Sequence, residues 1–192
     1  MRESILERST SETQVKVEVN LDKEEKGKIS TGIGFFDHML DLFAFRAGIS
    51  LDVTCQGDLH IDGHHTVEDV GLTLGQAIAK ALGDKKGIAR YGQASIPMDE
   101  SLANCVLDIS GRAYLVFDAA FPSARAGDMD TELVEEFFRA LCTQAGITLH
   151  ISLVYGRNTH HMIEAIFKAF GCAFGQAIVV RGQGVSSTKG VL

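Results

Sequence analysis

The chain opens on a partly alternating stretch over residues 4–20, in which Val15, Val17 and Val19 are separated by Lys16 and Glu18. That is the period of a half-buried strand. The polar run over 22–28 reads as its turn, and Ile29 is expected to begin a hairpin partner. At Gly34 the period changes. Phe36, Met39, Leu40, Phe43 and Ala47 recur at helical spacing over 35–47, and Gly48 ends that helix. Alternation returns over 49–55 as a strand, 56–58 is a turn, and 59–61 is expected to be a short return strand. A second helical pattern follows in Val67, Val70, Leu74, Ile78 and Leu82. The breaker-rich loop 83–87 and an irregular stretch over 88–92 then lead to a strand over 93–98.

From there the order repeats. Strands are expected over 101–109 and 112–120, a Gly/Asp turn over 127–130, a helix over 131–145, a strand over 147–154 and a last helix to about residue 179. Gly146 ends the first of these helices as Gly48 ended its counterpart. Aligning these glycines sets Ala47-Gly48-Ile49-Ser50-Leu51 against Ala145-Gly146-Ile147-Thr148-Leu149, an offset of 98. Gly171 and Gly175 echo Gly71 and Gly75 with a slip of four positions. The chain therefore reads as two copies of one strand–helix–strand–helix unit, residues 1–92 and 93–192, with no linker between them. They are expected to pack as one pseudo-symmetric body, with helices gathered on one side of each sheet.

At 192 residues and 45% apolar content the chain can bury a real core. A formal charge of −7 argues against a surface built for nucleic acid or anionic lipid, while leaving room for a local basic pocket. No apolar run approaches the roughly 20 residues of a membrane span, and the first residues lack a signal-peptide core. A cytosolic location is expected. Cys55, Cys105, Cys142 and Cys172 are too dispersed for a Cys-x-x-Cys pair and read as reduced core residues.

Chemistry enters with His64-His65-Thr66-Val67-Glu68 and His160-His161-Met162-Ile163-Glu164, two copies of His-His-x-x-Glu 96 positions apart. On a helix the first His and the Glu share a face, whereas the second His is turned by about 100°. One copy could be an exposed helix start with a local hydrogen bond. Two copies at matched places point to divalent metal, of the Mn, Fe, Ni or Zn class. The 98-residue offset also sets His38 opposite Glu136, one further ligand per half. His38, His64, His65, Glu68, Glu136, His160, His161 and Glu164 make eight, enough for two metals at four ligands each with positions left for substrate. Because the two histidines of each pair point apart, a site shared between subunits of a symmetric homo-oligomer is expected. His60 and His150 lack support from the repeat. A second set, Arg90, Arg112 and the tail Ser186-Ser187-Thr188-Lys189-Gly190, offers the groups that hold phosphate, or else is solvated surface and a frayed end.

With Gly34-Phe35-Phe36-Asp37-His38-Met39-Leu40, Asp62-Gly63-His64-His65-Thr66-Val67-Glu68-Asp69, Asn158-Thr159-His160-His161-Met162-Ile163-Glu164-Ala165 and Ser187-Thr188-Lys189-Gly190 in view, the sequence closely resembles the imidazoleglycerol-phosphate dehydratase family of histidine biosynthesis, from about Arg8 to Leu192. The resemblance implies an α+β fold of the internally duplicated ribosomal protein S5 domain 2-like type, two β-sheets with helices packed between them. It implies an assembly of 24 subunits with two Mn²⁺ ions per active site at subunit interfaces. It also implies a hydro-lyase that dehydrates D-erythro-imidazole glycerol phosphate to imidazole acetol phosphate through metal-bound imidazolate and a diazafulvene-like intermediate. Glu68 or Glu164 would take the C–H proton. Glu12 matches the family's Arg-x-Thr-x-Glu-Thr start as Arg8-Ser9-Thr10-Ser11-Glu12-Thr13 and would handle the hydroxyl. Arg90, Arg112, Ser187, Thr188 and Lys189 would bind phosphate, with Lys168 a weaker candidate. Where some members have His before the paired phenylalanines this chain has Glu136, still a competent Mn²⁺ ligand. A metallohydrolase and a non-catalytic metal-binding shell are the other classes such ligands allow.

Overall fold

The first alternating stretch is interrupted where Thr10 Oγ1 accepts hydrogen bonds from the N–H groups of Glu12 and Thr13, at 3.2 and 3.0 Å. A hydroxyl that satisfies two successive amides turns the chain. Residues 4–20 are therefore two antiparallel strands, β1 (Glu3–Ser9) and β2 (Thr13–Asn20), and not one. The expected hairpin partner at Ile29 is also corrected. The strand there, β3 (Ile29–Ser30), has two residues and does not pair with β2; it runs parallel to β4 (Ser50–Gly57). The Val53 N–H donates to Lys28 O, and the Lys28 N–H to Asp52 Oδ1, so the polar run crosses β4 before β3 forms. Residues 59–61 form a turn closed by the Ile61 N–H on Asp58 O, not a strand.

The structure, a computed structural model, describes residues 1–187. Helices α1 (Gly34–Ala47) and α2 (His64–Leu82) complete the first half. The second half contains β5 (Tyr91–Met98), β6 (Ser101–Asp108), β7 (Tyr114–Asp118), the small β8 (Arg125–Ala126) and β9 (Met129–Asp130) hairpin, α3 (Leu133–Ala145), β10 (Thr148–Tyr155) and α4 (Thr159–Ile178). Helix α3 starts two residues later than Thr131. That residue is tied to the preceding loop, its N–H on Ala124 O and its hydroxyl on Ser123 O.

Two four-stranded sheets result, ordered β1-β2-β4-β3 and β5-β6-β10-β7. In each, the last strand runs parallel to its neighbour and the rest are antiparallel. Helix α2 packs on the first sheet and α4 on the second, while α3 lies against α2 and α1 against α4. The helices thus fill the space between the sheets in an α+β fold built of duplicated halves.

The slip in the glycine echo has a packing reason. A Cβ on Gly75 would lie 2.4 Å from Leu141 O, and one on Gly171 would lie 2.8 Å from Phe43 O. The pairs that correspond are Gly75 with Gly171 and Phe43 with Leu141, each glycine letting a long helix approach the backbone of its partner. Farther along, Gly175 meets Ala47, so α1 and α4 run in the same direction. Phe36, Phe43, Phe137, Phe138, Phe167, Phe170 and Phe174 are fully buried between the sheets. Burial of a side chain of this size contributes roughly 1.5–3 kcal/mol, which makes this aromatic cluster a principal clamp on α1, α3 and α4. All four cysteines are free, and Cys55 is buried like Cys105 and Cys142. Among the described residues no helix is long and apolar enough to cross a membrane.

All four helices begin at the end covered by the β8–β9 hairpin. Asp128 Oδ2 and Oδ1 accept from the N–H groups of Gly34 and Phe35, at 2.7 and 2.9 Å, capping α1 from 94 residues away. Gly63, just before α2, sits against Ile33 and against Leu133 at the start of α3. The Ser123 N–H donates to Thr159 Oγ1 at the start of α4. Both His-His segments are thereby gathered at one end of the molecule.

Candidate metal centre

His160 and His161 enter α4 under an Asn158 cap, whose Oδ1 accepts from both of their backbone N–H groups, at 3.0 and 3.3 Å. The first turn fixes the two rings about 80° apart. His160 Nε2 faces Glu164 Oε2, four residues on, at 3.1 Å. From α1, His38 Nε2 approaches the same carboxylate oxygen at 3.8 Å. One atom from each of His38, His160 and Glu164 lies within 4.8 Å of the others. Two imidazole nitrogens and a carboxylate oxygen this close together, the two histidines exposed and Glu164 buried, are a divalent-metal donor set, and these residues fit such an ion.

Glu164 is buried, which opposes its charge, yet its carboxyl is held below the usual range by Lys168 Nζ at 2.6 Å on Oε1 and by His160 and His38 on the other side. It is a carboxylate held ready as a ligand. Lys168 is occupied by this pair and by Met98 Sδ at 3.3 Å.

The second histidine of each pair points elsewhere and meets its own carboxylates. His161 Nδ1 lies 2.8 Å from Glu100 Oε2, and its Nε2 lies 3.8 Å from Asp99 Oδ2. His65 Nδ1 lies 2.9 Å from Asp58 Oδ2, and its Nε2 lies 3.8 Å from Glu12 Oε1. The hydrogen bonds they donate to Glu100 and Asp58 raise the two imidazoles above their ordinary pKa. Glu100 is pushed well below the carboxylate range, chiefly by His161 and then by the Asn158 N–H.

The counterpart of the three-residue centre does not close within the described residues of one chain. Glu136 turns to Arg139, at 3.6 Å. His64 is exposed, its backbone N–H on Asp62 Oδ1 and its ring edge-on to that of His65. The Glu68 side chain makes no hydrogen bond or ion pair among the described residues. His150 faces outward on β10, and His60 lies in the exposed turn before α2.

The phosphate candidates collect at the opposite end of α4. The Arg90 guanidinium is bidentate on Asp108, at 2.6 and 3.0 Å, and donates to Ser186 O at 2.7 Å. Arg112 reaches the same Asp108 at 3.9 Å and is mostly exposed. Ser187 follows directly, its N–H on Val185 O; Thr188 and Lys189 lie outside the described residues. The Arg90 N–H donates to Ala177 O near the end of α4. At about 1.5 Å per helical residue, this cluster stands roughly 25 Å from His160.

The family model described as imidazoleglycerol-phosphate dehydratase matches residues 31–174, most of the chain and all eight metal candidates. The chain belongs to the imidazoleglycerol-phosphate dehydratase family. It is 58% identical to the imidazoleglycerol-phosphate dehydratase of Desulforamulus reducens, over all of this chain and 98% of that one, and 58% identical to that of Acetivibrio thermocellus, over 96% of each. The crystal structure of imidazoleglycerol-phosphate dehydratase from Staphylococcus aureus superposes with a TM-score of 0.84 at 47% identity, covering 92% of this chain and 99% of that one. The structure from Pyrococcus furiosus gives 0.85 at 38%, covering 97% and 100%. Imidazoleglycerol-phosphate dehydratases are hydro-lyases of histidine biosynthesis, and this chain is one of them. Glu12 and the residues after 174 lie outside the family-model match, although the full-length relatives align across them.

Sequence reasoning missed Asp58, Asp99, Glu100 and Asp108. Asp58 reads as an ordinary turn residue, and Asp99-Glu100 as the turn between two strands, 61 residues from His161. One signal was available in the repeat. The β5–β6 turn corresponds to the β1–β2 turn that carries Glu12, so acidic residues in one predict acidic residues in the other.

Proposed function

We propose that the chain dehydrates D-erythro-imidazole glycerol phosphate to imidazole acetol phosphate, with two Mn²⁺ ions per active site. The observation that carries this reading is the convergence of His38, His160 and Glu164 from two helices on one point. His64, His65, Glu68, Glu136 and His161 are the further ligands, at the same end of the molecule. When bound, Mn²⁺ supplies Lewis acidity to the substrate imidazole, the ring that must accept charge as the side chain loses a proton. The chain's carboxylates do the rest. Glu164, paired with Lys168, serves as a ligand only; Glu68, whose side chain has no partner among the described residues, is the better candidate to take the C–H proton as well. Glu12, on the turn above His65, gives its proton to the departing hydroxyl, which leaves as water through a diazafulvene-like species. The resulting enol becomes the ketone with the phosphate ester intact.

Arg90, Arg112, Ser187, Thr188 and Lys189 are the phosphate-binding residues in this reading. The roughly 25 Å between Arg90 and His160 has a consequence. A three-carbon arm is about as long as one extended residue, roughly 3.5 Å, so it cannot join the two clusters of one chain. One substrate can use both clusters only if they come from different chains, which supports an assembly whose sites lie between subunits, of 24 copies as the family resemblance implies. A cytoplasmic location is part of the same proposal.

The test is the metal content and activity of His38→Ala and His160→Ala, measured together on purified protein. Loss of both is expected; full Mn²⁺ content with an unchanged rate in either variant would overturn the assignment.

A further inference from the structure

In each His-His pair the second ring lies outside the three-residue centre, and in both cases a carboxylate meets its Nδ1. His161 Nδ1 is held by Glu100 Oε2 at 2.8 Å, and His65 Nδ1 by Asp58, whose two oxygens lie at 2.9 and 3.2 Å. The brackets come from unrelated places, the β5–β6 turn in one half and the residue after β4 in the other. The shared geometry is therefore not a simple inheritance of the repeat.

Both brackets are themselves fixed. Glu100 Oε1 accepts from the N–H groups of Arg157 and Asn158, at 3.1 and 2.8 Å, and from Ser101 Oγ at 3.1 Å. It therefore joins the loop that caps α4 to the ring on the first turn of α4. The Asp58 side chain is only 13% exposed, and its N–H donates to Glu12 O, tying the His65 bracket to the turn that carries Glu12. An ionised carboxylate can only accept a hydrogen bond, so of the two neutral tautomers, the forms that can ligate a metal, it selects the one that carries its proton on Nδ1. The lone pair then sits on Nε2, on the outward side of a ring whose rotation is fixed.

We infer that Glu100 and Asp58 are positioning residues that set the tautomer and direction of His161 and His65 so that each presents Nε2 to a divalent ion. The inference rests on the Mn²⁺ reading above and extends it to two residues outside the ligand set. A partner on the non-ligating nitrogen raises ligand basicity and removes rotational freedom, and its loss costs roughly 10- to 100-fold in metal affinity. The alternative is that these are fold-stabilising ion pairs with no bearing on metal.

The experiment is Mn²⁺ titration of the purified full-length protein, with free ion followed by electron paramagnetic resonance, in wild type, Glu100→Gln, His161→Ala and the double variant. Glutamine keeps an acceptor for the Arg157 and Asn158 N–H groups while removing the charge. The inference predicts a roughly 10- to 100-fold loss of affinity in Glu100→Gln, and no further loss when the same change is made in the His161→Ala protein. Unchanged affinity in Glu100→Gln, or the same loss in the His161→Ala background, overturns it. Asp58→Asn with His65→Ala gives the same pair of measurements on a different element, so a folding failure in one set leaves the other decisive. Wild-type protein that binds no Mn²⁺ would instead defeat the metal reading itself, before any variant is compared.

Discussion

In the proposed site the two oxygens of Glu164 face opposite demands. Oε1 is neutralised by Lys168 at 2.6 Å, and Oε2 is turned toward His160 and His38. Lys168→Met should therefore weaken metal binding without touching a ligand, since the buried carboxylate would lose the cation that keeps it charged. Mn²⁺ titration checks this; unaltered affinity would mean that the two imidazoles suffice. For the phosphate cluster, Arg112→Ala should raise KM by about 10- to 150-fold with metal content retained, the loss of a charge-assisted contact worth roughly 1.5–3 kcal/mol. At this scale the sequence was informative about residue types and local spacing. His160 and Glu164 meet because i and i+4 share a helical face, and that is readable by counting. Glu100 and Asp58 were not readable, because their contacts with the histidines depend on how a turn folds back over a helix start.

At the scale of elements, the position of His38 depends on α1, and the start of α1 is capped by Asp128 from another part of the chain. Burial works against the Asp128 charge, but the Phe35 and Gly34 N–H groups outweigh it and hold the carboxyl below its ordinary value of 3.8. A depressed folded-state pKa stabilises the fold above that ordinary value, and the contribution is lost as pH falls through the lowered one. Asp128→Ala should cost about 0.5–2 kcal/mol near neutral pH, and the gap from wild type should close in acid. Denaturant melts at pH 7 and at a series of pH values falling below 3.8 would show a gap that does not narrow if the Asp128 charge were not responsible. Gly171→Ala should be more disruptive than its single methyl suggests. The new Cβ would meet Phe43 O and Arg46 Cβ at 2.8 Å, and overpacking of this kind costs about 1–3 kcal/mol. Helices α1 and α2 were legible from periodicity, and the ends of α1 and α3 from their glycine stops at Gly48 and Gly146, whereas α4 ends at Val179 without one. The two-residue β3 and the parallel pairing of β3 with β4 and β7 with β10 were not, because such short strands have too few residues to show a period.

At the scale of the whole molecule, duplication explains why both His-His segments occupy one end, and it leaves the phosphate cluster at the other. Mixed assemblies test whether subunits share the site. His160→Ala and Arg112→Ala subunits, each inactive or weak alone, should regain part of the wild-type rate when unfolded together and reassembled, because some interfaces would then combine an intact metal end with an intact arginine end. No recovery in mixed assemblies of normal size would place both functions within one chain. The repeat was visible in the sequence through the paired motifs and glycine stops, whereas the separation of the two clusters became apparent only once Arg90 was found hydrogen-bonded at the far end of α4. The central claim is that this fold uses divalent metal at the shared end of its helices to remove water while leaving phosphate in place. The most direct measurement is to strip the protein of metal, add back Mn²⁺ with imidazole glycerol phosphate, and follow product by phosphorus NMR. A ketone that keeps its phosphate ester, formed only after Mn²⁺ is restored, is the predicted result. Release of inorganic phosphate, or an undiminished rate in the stripped protein, would contradict it.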